Sequence, residues 1–506
     1  MKYVLAIDQG TTSTRAILFT HDGLPFQTGQ KEVECLYPKS GWVEQDALAI
    51  WISVLDVINE VTVKANITLD DVDCIGITNQ RETTVIWDKN TGLPVAPAIV
   101  WQSRQSAEIC ERFAEKRDFI HKKTGLLLNP YFSASKIRFI LDHIPNCQER
   151  AEKGELLFGT IDSWIVYKMT KNTLHATDVT NASRTLLFNI NEMKWDKELC
   201  DLFNIPMCML PEVKPSSYDF GQASYFKFKD LHIRGVAGDQ QAALFGQVCF
   251  NKGESKNTYG TGCFMLVNIG EKPIFSHSGL ITTVAWQIGD KVTYAIEGSV
   301  FIGGAAVQWL RDAMRLIKDA ADSEKCAMNS ITEGIYVVPA FTGLGTPYWD
   351  DDVRGAVFGL TRSTNKDSFV KATLEGIAYQ CKDVFDIVEE ETGTKIESLK
   401  VDGGATHNKF LMQFQSDILG CEIKLPKCLE TTALGAAYLA GLNSGFYENI
   451  DNIIKIHSYQ AEYSPKMAKN EVERRYNGWK RAVEAARFFN YILYLRQIRI
   501  VYLFDL

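Results

Sequence analysis

Three short turns hold most of the residues in this chain that could do chemistry. The first is Asp8-Gln9-Gly10-Thr11-Thr12-Ser13-Thr14-Arg15. The second runs from Asp239-Gln240 to Gly260-Thr261-Gly262, and the third from Asp402-Gly403-Gly404 to Asn408. Each joins small or hydroxylic residues to a carboxylate. Glycine and threonine turns hold phosphate well, because backbone N–H groups approach closely and hydroxyls add donors. An aspartate at a strand end suits Mg²⁺, which takes one or two carboxylates and keeps several waters. One such turn is most often only a turn. Three of them, two following apolar runs, point to a nucleotide phosphate.

The commoner phosphate motifs are absent. There is no GxxxxGK followed by Ser or Thr, no HRD catalytic loop, and no GxGxxG after a strand. The sequence therefore argues against a Walker-type NTPase, a protein kinase and a dinucleotide enzyme.

The turns need elements to position them. Residues 3–19 read as strand, polar turn, strand. Asp46 reads as the N-cap of a helix whose apolar face is Leu48, Trp51, Leu55 and Ile58. A strand at 73–78 ends in Asn79-Gln80-Arg81-Glu82-Thr83-Thr84, and one at 233–237 ends in Gly238-Asp239-Gln240-Gln241. A helix over 242–248 follows, with Asp239 as its candidate N-cap. Further helices are expected from Gly303-Gly304 through Met314, from about 367 to 390, and from Ala433 to Ala440, the last capped by Thr432 and stopped by Gly441. Strands alternating with helices imply an α/β architecture. The order strand, acidic residue, Gly/Thr turn, strand occurs twice, which suggests two similar halves dividing near residue 245.

The 506 residues allow two or three domains. Net charge is −8 and Lys and Arg are scattered, so a nucleic-acid partner is not expected. The twelve cysteines include no CxxC pair, so free, mostly buried thiols are expected rather than zinc. The N-terminus reads as a strand, not a secretory signal, and no 18-residue apolar run exists. A cytoplasmic protein without a membrane span follows. Residues 488–506 are apolar and aromatic and read as a packed or frayed terminal helix; an amphipathic surface-binding segment is the alternative.

Asp8-Gln9-Gly10-Thr11-Thr12, Gly238-Asp239-Gln240-Gln241-Ala242, Gly260-Thr261-Gly262 and Asp402-Gly403-Gly404 resemble the phosphate and adenosine motifs of the actin-like ATPase fold. More narrowly, Tyr131-Phe132-Ser133-Ala134-Ser135-Lys136 resembles the first signature of the FGGY carbohydrate kinase family. Gly355 to Leu360, followed by Ala372-Thr373-Leu374-Glu375, resembles the second. The resemblance covers about residues 3–485. Asn79 to Thr83, Tyr259 to Phe264 and Pro339 to Gly345 are most similar to the members that phosphorylate glycerol.

That resemblance implies two actin-like, ribonuclease H-like α/β domains with a central cleft. It implies residues 1–245 for the polyol and phosphate motifs, 246–450 for the nucleotide and 451–506 as a helical extension. It implies ATP and Mg²⁺ as cofactors, glycerol as substrate and a homodimer or tetramer. Arg81, Glu82, Asp239, Gln240 and Tyr131 would meet the polyol's hydroxyls, with Trp101 and Phe264 against its carbons. Asp239 would be the catalytic base, and Asp8 would hold Mg²⁺ through water. Thr11, Thr12, Ser13 and Arg15 would contact the phosphates. Thr261, Gly304, Gln308, Gly404 and Asn408 would complete the nucleotide site. Read without the family, Trp101 is core packing in the strand-like run 98–102, Gly304 a helix-start glycine and Gln308 a solvated face.

Two departures stand out. Phe139 replaces the signature's usual Trp. The stretch 224–230 lacks the glycine- and arginine-containing loop by which some relatives bind fructose 1,6-bisphosphate. Two other readings remain open: a sister kinase of a pentulose, gluconate or erythritol, and a non-kinase actin-like ATPase.

Overall fold

The computed structural model describes residues 2–226, 230–331 and 333–504, with side chains described through residue 489. The first sheet starts with β1 (Tyr3–Gln9), β2 (Ser13–Phe19) and β3 (Pro25–Glu32), antiparallel in sequence. Helix α1 (Ala47–Ala65) follows. Asp46 caps it by accepting from the Leu48 N–H, and Asn66 closes it in the left-handed region. The chain then adds β4 (Val72–Asn79) parallel to β1. After an excursion that includes α2 (Ser133–His143), it adds β5 (Ile233–Gly238) parallel to β4. The order is β5-β4-β1-β2-β3. Tyr3 to Ile7 are all buried, as an inner strand covered on both faces requires.

After α3 (Asp239–Gly246) the pattern recurs. Strands β6 (Ser255–Tyr259) and β7 (Cys263–Gly270) form the hairpin, with β8 (Ile281–Ile288) and β9 (Lys291–Val300) beyond. Helices α4 (Gly304–Asp312) and α5 (Lys366–Thr392) lead to β10 (Ser398–Asp402), parallel to β6. Then come α6 (Lys409–Leu419), β11 (Glu422–Pro426), α7 (Thr431–Ser444), β12 (Tyr459–Tyr463) and α8 (Lys469–Phe504). The second sheet runs β8-β9-β7-β6-β10-β11-β12. Both sheets pair an antiparallel hairpin with two parallel strands, the ribonuclease H-like arrangement of the actin-like fold.

Helix α7 belongs to the second half in sequence but packs on the first sheet and on α3. The backbones nearly touch. A Cβ on Gly435 would stand 1.8 Å from the Ala242 carbonyl oxygen, and one on Gly246 2.0 Å from that of Thr431. Only glycine fits either side of this crossing.

Several boundaries differ from the sequence reading. Helix α7 starts at Thr431 and runs to Ser444, capped by Gly445, so Gly441 lies inside it. That glycine makes room for the Tyr447 ring, which a Cβ would meet at 2.3 Å; tertiary packing overrides the stop signal. Helix α4 ends at Asp312 rather than Met314. Helix α3 begins at Asp239, with Gly238 as its cap, so Asp239 occupies the first helical position. The strand before Trp101 covers only Ala98–Ile99.

All twelve cysteines are free thiols, ten of them buried. Among the described residues, no helix is long and apolar enough to cross a membrane. Helix α8 carries the terminal tail to Phe504. Phe488 and Phe489 stand exposed, so the tail's start is not packed on the body. The tail's side chains from residue 490 on lie outside the described residues, as do residues 227–229 of the loop noted above.

Candidate active site

Ligands of open α/β sheets sit beyond the carboxyl ends of the parallel strands. Here those ends carry or lead into Asp8, Arg81, Asp239, Thr261 and Asp402. The β1–β2 turn closes with the Gly10 N–H donating to the Ser13 carbonyl at 2.9 Å. Buried glutamines hold it from below. Gln80 Nε2 donates to Gln9 Oε1 at 3.0 Å and Gln45 Oε1 at 2.8 Å, and Gln45 Nε2 donates to the Thr11 carbonyl at 2.6 Å. The Trp101 indole N–H donates to Thr11 Oγ1 at 2.8 Å. Thr12 is exposed, and Thr11 and Ser13 are half-buried.

Arg15 donates to Glu430 Oε2 at 2.8 Å, joining the first sheet to the start of α7. Asp8 is half-buried beside them. Burial, with Asp239 and Glu430 adding like charge, pushes its carboxyl up to about 7 against the pull of Arg15.

On the opposite side, the N–H groups of Gly303 and Gly304 donate to the carbonyls of Thr261 and Gly260, each at 2.8 Å, so the start of α4 seats the second turn. Thr261, Gln308 and Gly404 are exposed, and no described atom lies within 4 Å of where a Gly404 Cβ would be. Asn408 is different. Its side chain caps α6 by accepting from the Leu411 N–H at 2.9 Å and donates to Ser323 Oγ at 3.1 Å. Both ends of that amide are engaged within the protein.

The densest chemistry lies between the sheets. Arg81 grips Glu297 with two hydrogen bonds, at 2.6 and 3.1 Å, and its Nε lies 3.1 Å from Asp239 Oδ1. Arg184 donates from Nε to Glu82 Oε1 at 2.6 Å and from Nη2 to Glu297 Oε1 at 3.1 Å. Arg81, Glu82, Arg184 and Glu297 are buried. Two cations face two anions, which is what makes buried charge tolerable. Glu82 has φ of 60°, a left-handed conformation that a glutamate rarely adopts. Thr84 Oγ1 and Ser133 Oγ both donate to its carbonyl, at 3.1 Å, and hold it there. Asp239 is the open member of the group, its side chain 29% exposed. Burial pushes its carboxyl above the usual range, opposed by Arg81, the Gln240 N–H and Lys256.

Tyr131 and Trp101 form one wall, edge to face at 5.5 Å. The Arg184 guanidinium lies over the rings of Phe132 and Tyr131, at 5.3 and 5.8 Å. Lys136 pins this segment: its buried ammonium donates to the carbonyls of Pro130 at 2.7 Å, Tyr131, and Phe132 at 3.3 Å. Gln240 accepts from the Lys256 ammonium, which also donates to the Phe264 carbonyl at 3.3 Å.

The predicted polyol residues thus come together around Asp239, and the phosphate turn lies beside them. Sequence reasoning missed Arg184, Glu297 and Lys256. The signal was available for one of them: Glu297 is a charge following Tyr294, Ala295 and Ile296 in β9, and charged residues are rarely buried without a partner.

Residues 3–246 match the N-terminal domain of the FGGY family of carbohydrate kinases, and residues 255–444 match its C-terminal domain. The chain is 56% identical to a glycerol kinase of Bacillus licheniformis over 493 residues, covering 96% of this chain and 99% of that one. It is 54% identical to a glycerol kinase of Oceanobacillus iheyensis over 495 residues, covering 97% and 99%. The fold superposes on Plasmodium falciparum glycerol kinase with ADP at a TM-score of 0.90 and 37% identity, covering 96% and 98% of the two chains. Two matched domains and near-complete coverage therefore place this chain in the FGGY family of carbohydrate kinases.

Proposed function

We propose that the chain is a glycerol kinase, transferring the γ-phosphoryl group of ATP to a terminal hydroxyl of glycerol to give sn-glycerol 3-phosphate and ADP. The observation that carries this reading is the paired Arg81–Glu297 and Arg184–Glu82 cluster ending in the half-open Asp239. An uncharged polyol offers only hydroxyls, and a missed partner costs about 1–3 kcal/mol. Arg81, Glu82, Asp239, Gln240 and the Tyr131 phenol supply donors and acceptors for them. Trp101 and Phe264 would cover the carbons. The relatives named above support glycerol over larger substrates.

Asp239 takes the proton of the attacking hydroxyl as that oxygen bonds to the γ-phosphorus and the bond to the ADP oxygen breaks. Arg81 holds the carboxylate in place. A positioned base is worth about 10²–10⁴-fold. Thr11, Thr12, Ser13 and Arg15 would bind phosphates, and Thr261, Gly304, Gln308, Gly404 and Asn408 the rest of the nucleotide. Asn408 would act mainly by setting the start of α6. Among the described residues no three metal-binding groups converge. Mg²⁺ would take water and phosphate oxygens around Asp8 and neutralise charge on the phosphates.

The division at residue 245 is supported by the break between the two family matches, after 246 and before 255. Residues 246–450 then form the nucleotide half, and 451–506 the extension. The reading includes a cytoplasmic homodimer or tetramer acting in the first step of glycerol catabolism and in glycerolipid supply.

The test is ADP release from ATP and Mg²⁺, with and without glycerol, by wild type and Asp239→Asn. Glycerol should stimulate the wild type strongly, and the variant should lose about 10²–10⁴-fold while still binding ATP. Faster turnover with a pentulose or gluconate would reassign the substrate. Steady turnover without any polyol would overturn the kinase.

A further inference from the structure

Lys256 lies on β6, fully buried beneath the candidate polyol site. Its ammonium meets three acceptors: the Gln240 side-chain oxygen, Thr258 Oγ1 at 2.9 Å and the Phe264 carbonyl at 3.3 Å. The charged groups around it are Asp402, Glu297, Arg81 and Asp239. Nothing in the proton transfer derived above uses it.

An ammonium has three donors and no acceptor. The atom of Gln240 that faces it must therefore be the amide oxygen. Turned over, the amide would set its NH₂ against the ammonium. The orientation of the other end follows. Gln240 Nε2 makes no hydrogen bond to any described residue, and it is not among the polar atoms closed off in the interior. It sits beside the cleft at the residue after Asp239. The pair then offers a vicinal diol two complementary groups: a carboxylate that accepts and an NH₂ that donates.

We propose that Lys256 is a positioning residue that fixes the donor–acceptor order of the polyol subsite by holding the Gln240 amide with its NH₂ toward the cleft. It acts through Gln240, not on the reacting atoms. The inference rests on the glycerol kinase reading. It gives a role to a lysine that is fully buried within β6.

The test is steady-state kinetics with glycerol for wild type, Lys256→Met, Gln240→Ala, the double variant and Gln240→Glu. Gln240→Glu keeps an acceptor for Lys256 and removes the donor to the cleft. It should keep the wild-type Tm and raise the KM for glycerol about tenfold to a hundredfold, with the KM for ATP within about twofold. Lys256→Met should raise the glycerol KM by a similar factor. Because Lys256 acts through Gln240, the double variant should be no worse than Gln240→Ala alone. Effects that multiply in the double variant would overturn the proposal, as would a wild-type glycerol KM in Gln240→Glu. The Gln240→Glu result decides even if Lys256→Met does not fold. A wild type that ignores glycerol would overturn the functional reading itself, whereas glycerol turnover with an unaltered Gln240→Glu would overturn only this inference.

Discussion

Glu297 and Glu82 share the same two guanidiniums and are shifted in opposite directions. Burial raises both carboxyls. At Glu297 the two arginines overcome it and hold the group at about 2; at Glu82 burial wins and the carboxyl stays above its usual range. The difference is geometric. Glu297 takes hydrogen bonds from both arginines, whereas Glu82 takes one from Arg184 and lies 3.8 Å from Arg81. A carboxylate whose folded pKa is depressed contributes stability above its unfolded pKa and loses it as pH falls through the folded one. For Glu297 that window runs from 4.5 down to about 2. Glu297→Gln should therefore be less stable than wild type by about 3–5 kcal/mol near neutral pH, since it leaves two arginines against one carboxylate. Denaturant melts should show the gap narrowing as pH falls through that window. A gap that does not change with pH would show that Glu297 contributes shape rather than charge. Arg81, Glu82 and Asp239 were legible in the sequence because they punctuate strand ends. The partners of Glu297 and Arg184 were not, because they lie about a hundred or more residues away in sequence.

Helix α7 shows why element boundaries were harder to read than element types. Gly441 looks like a stop in sequence, yet it lies inside the helix as a packing residue, as Gly435 does. A local propensity scale cannot see the Ala242 carbonyl or the Tyr447 ring. The long helix α5, by contrast, was placed within a residue or two at each end, because Asn365 and Gly393 cap it locally. The crossing of α3 and α7 also bears on catalysis, since Asp239 is the first residue of α3. Gly435→Ala would drive a methyl group into the Ala242 carbonyl, backbone against backbone. The helices must part, at a typical overpacking cost of about 1–3 kcal/mol, and the base moves with α3. Thermal melts and turnover should both fall. A Gly435→Ala enzyme with wild-type kcat would show that Asp239 is held by Arg81 alone and not by its helix.

At the scale of the whole molecule, residues of the two halves meet in the Arg81–Glu297 and Arg184–Glu297 pairs, and a further ion pair ties the first sheet to α7. Arg15 on β2 meets Glu430 at the start of α7, 415 positions away in sequence, with side chains 35% and 38% exposed. This pairing was invisible in the sequence, which offered Arg15 only as a phosphate contact. Two demands now fall on the same guanidinium. If Arg15 turns to a nucleotide phosphate, it must leave or share Glu430, so the pair opposes binding by whatever it is worth. For exposed pairs that is about 0.2–1 kcal/mol. Glu430→Gln should then tighten ADP binding about two- to fivefold. Calorimetric titration should be run with and without Mg²⁺, because removing Glu430 also removes a like charge beside Asp8 and would weaken a cation there. Tightening without the metal and less tightening with it would establish both effects. Unchanged affinity in both conditions would mean that Arg15 keeps Glu430 when nucleotide binds. In that case the ion pair is a fixed tie between the two halves, and Thr11, Thr12 and Ser13 hold the phosphates without it.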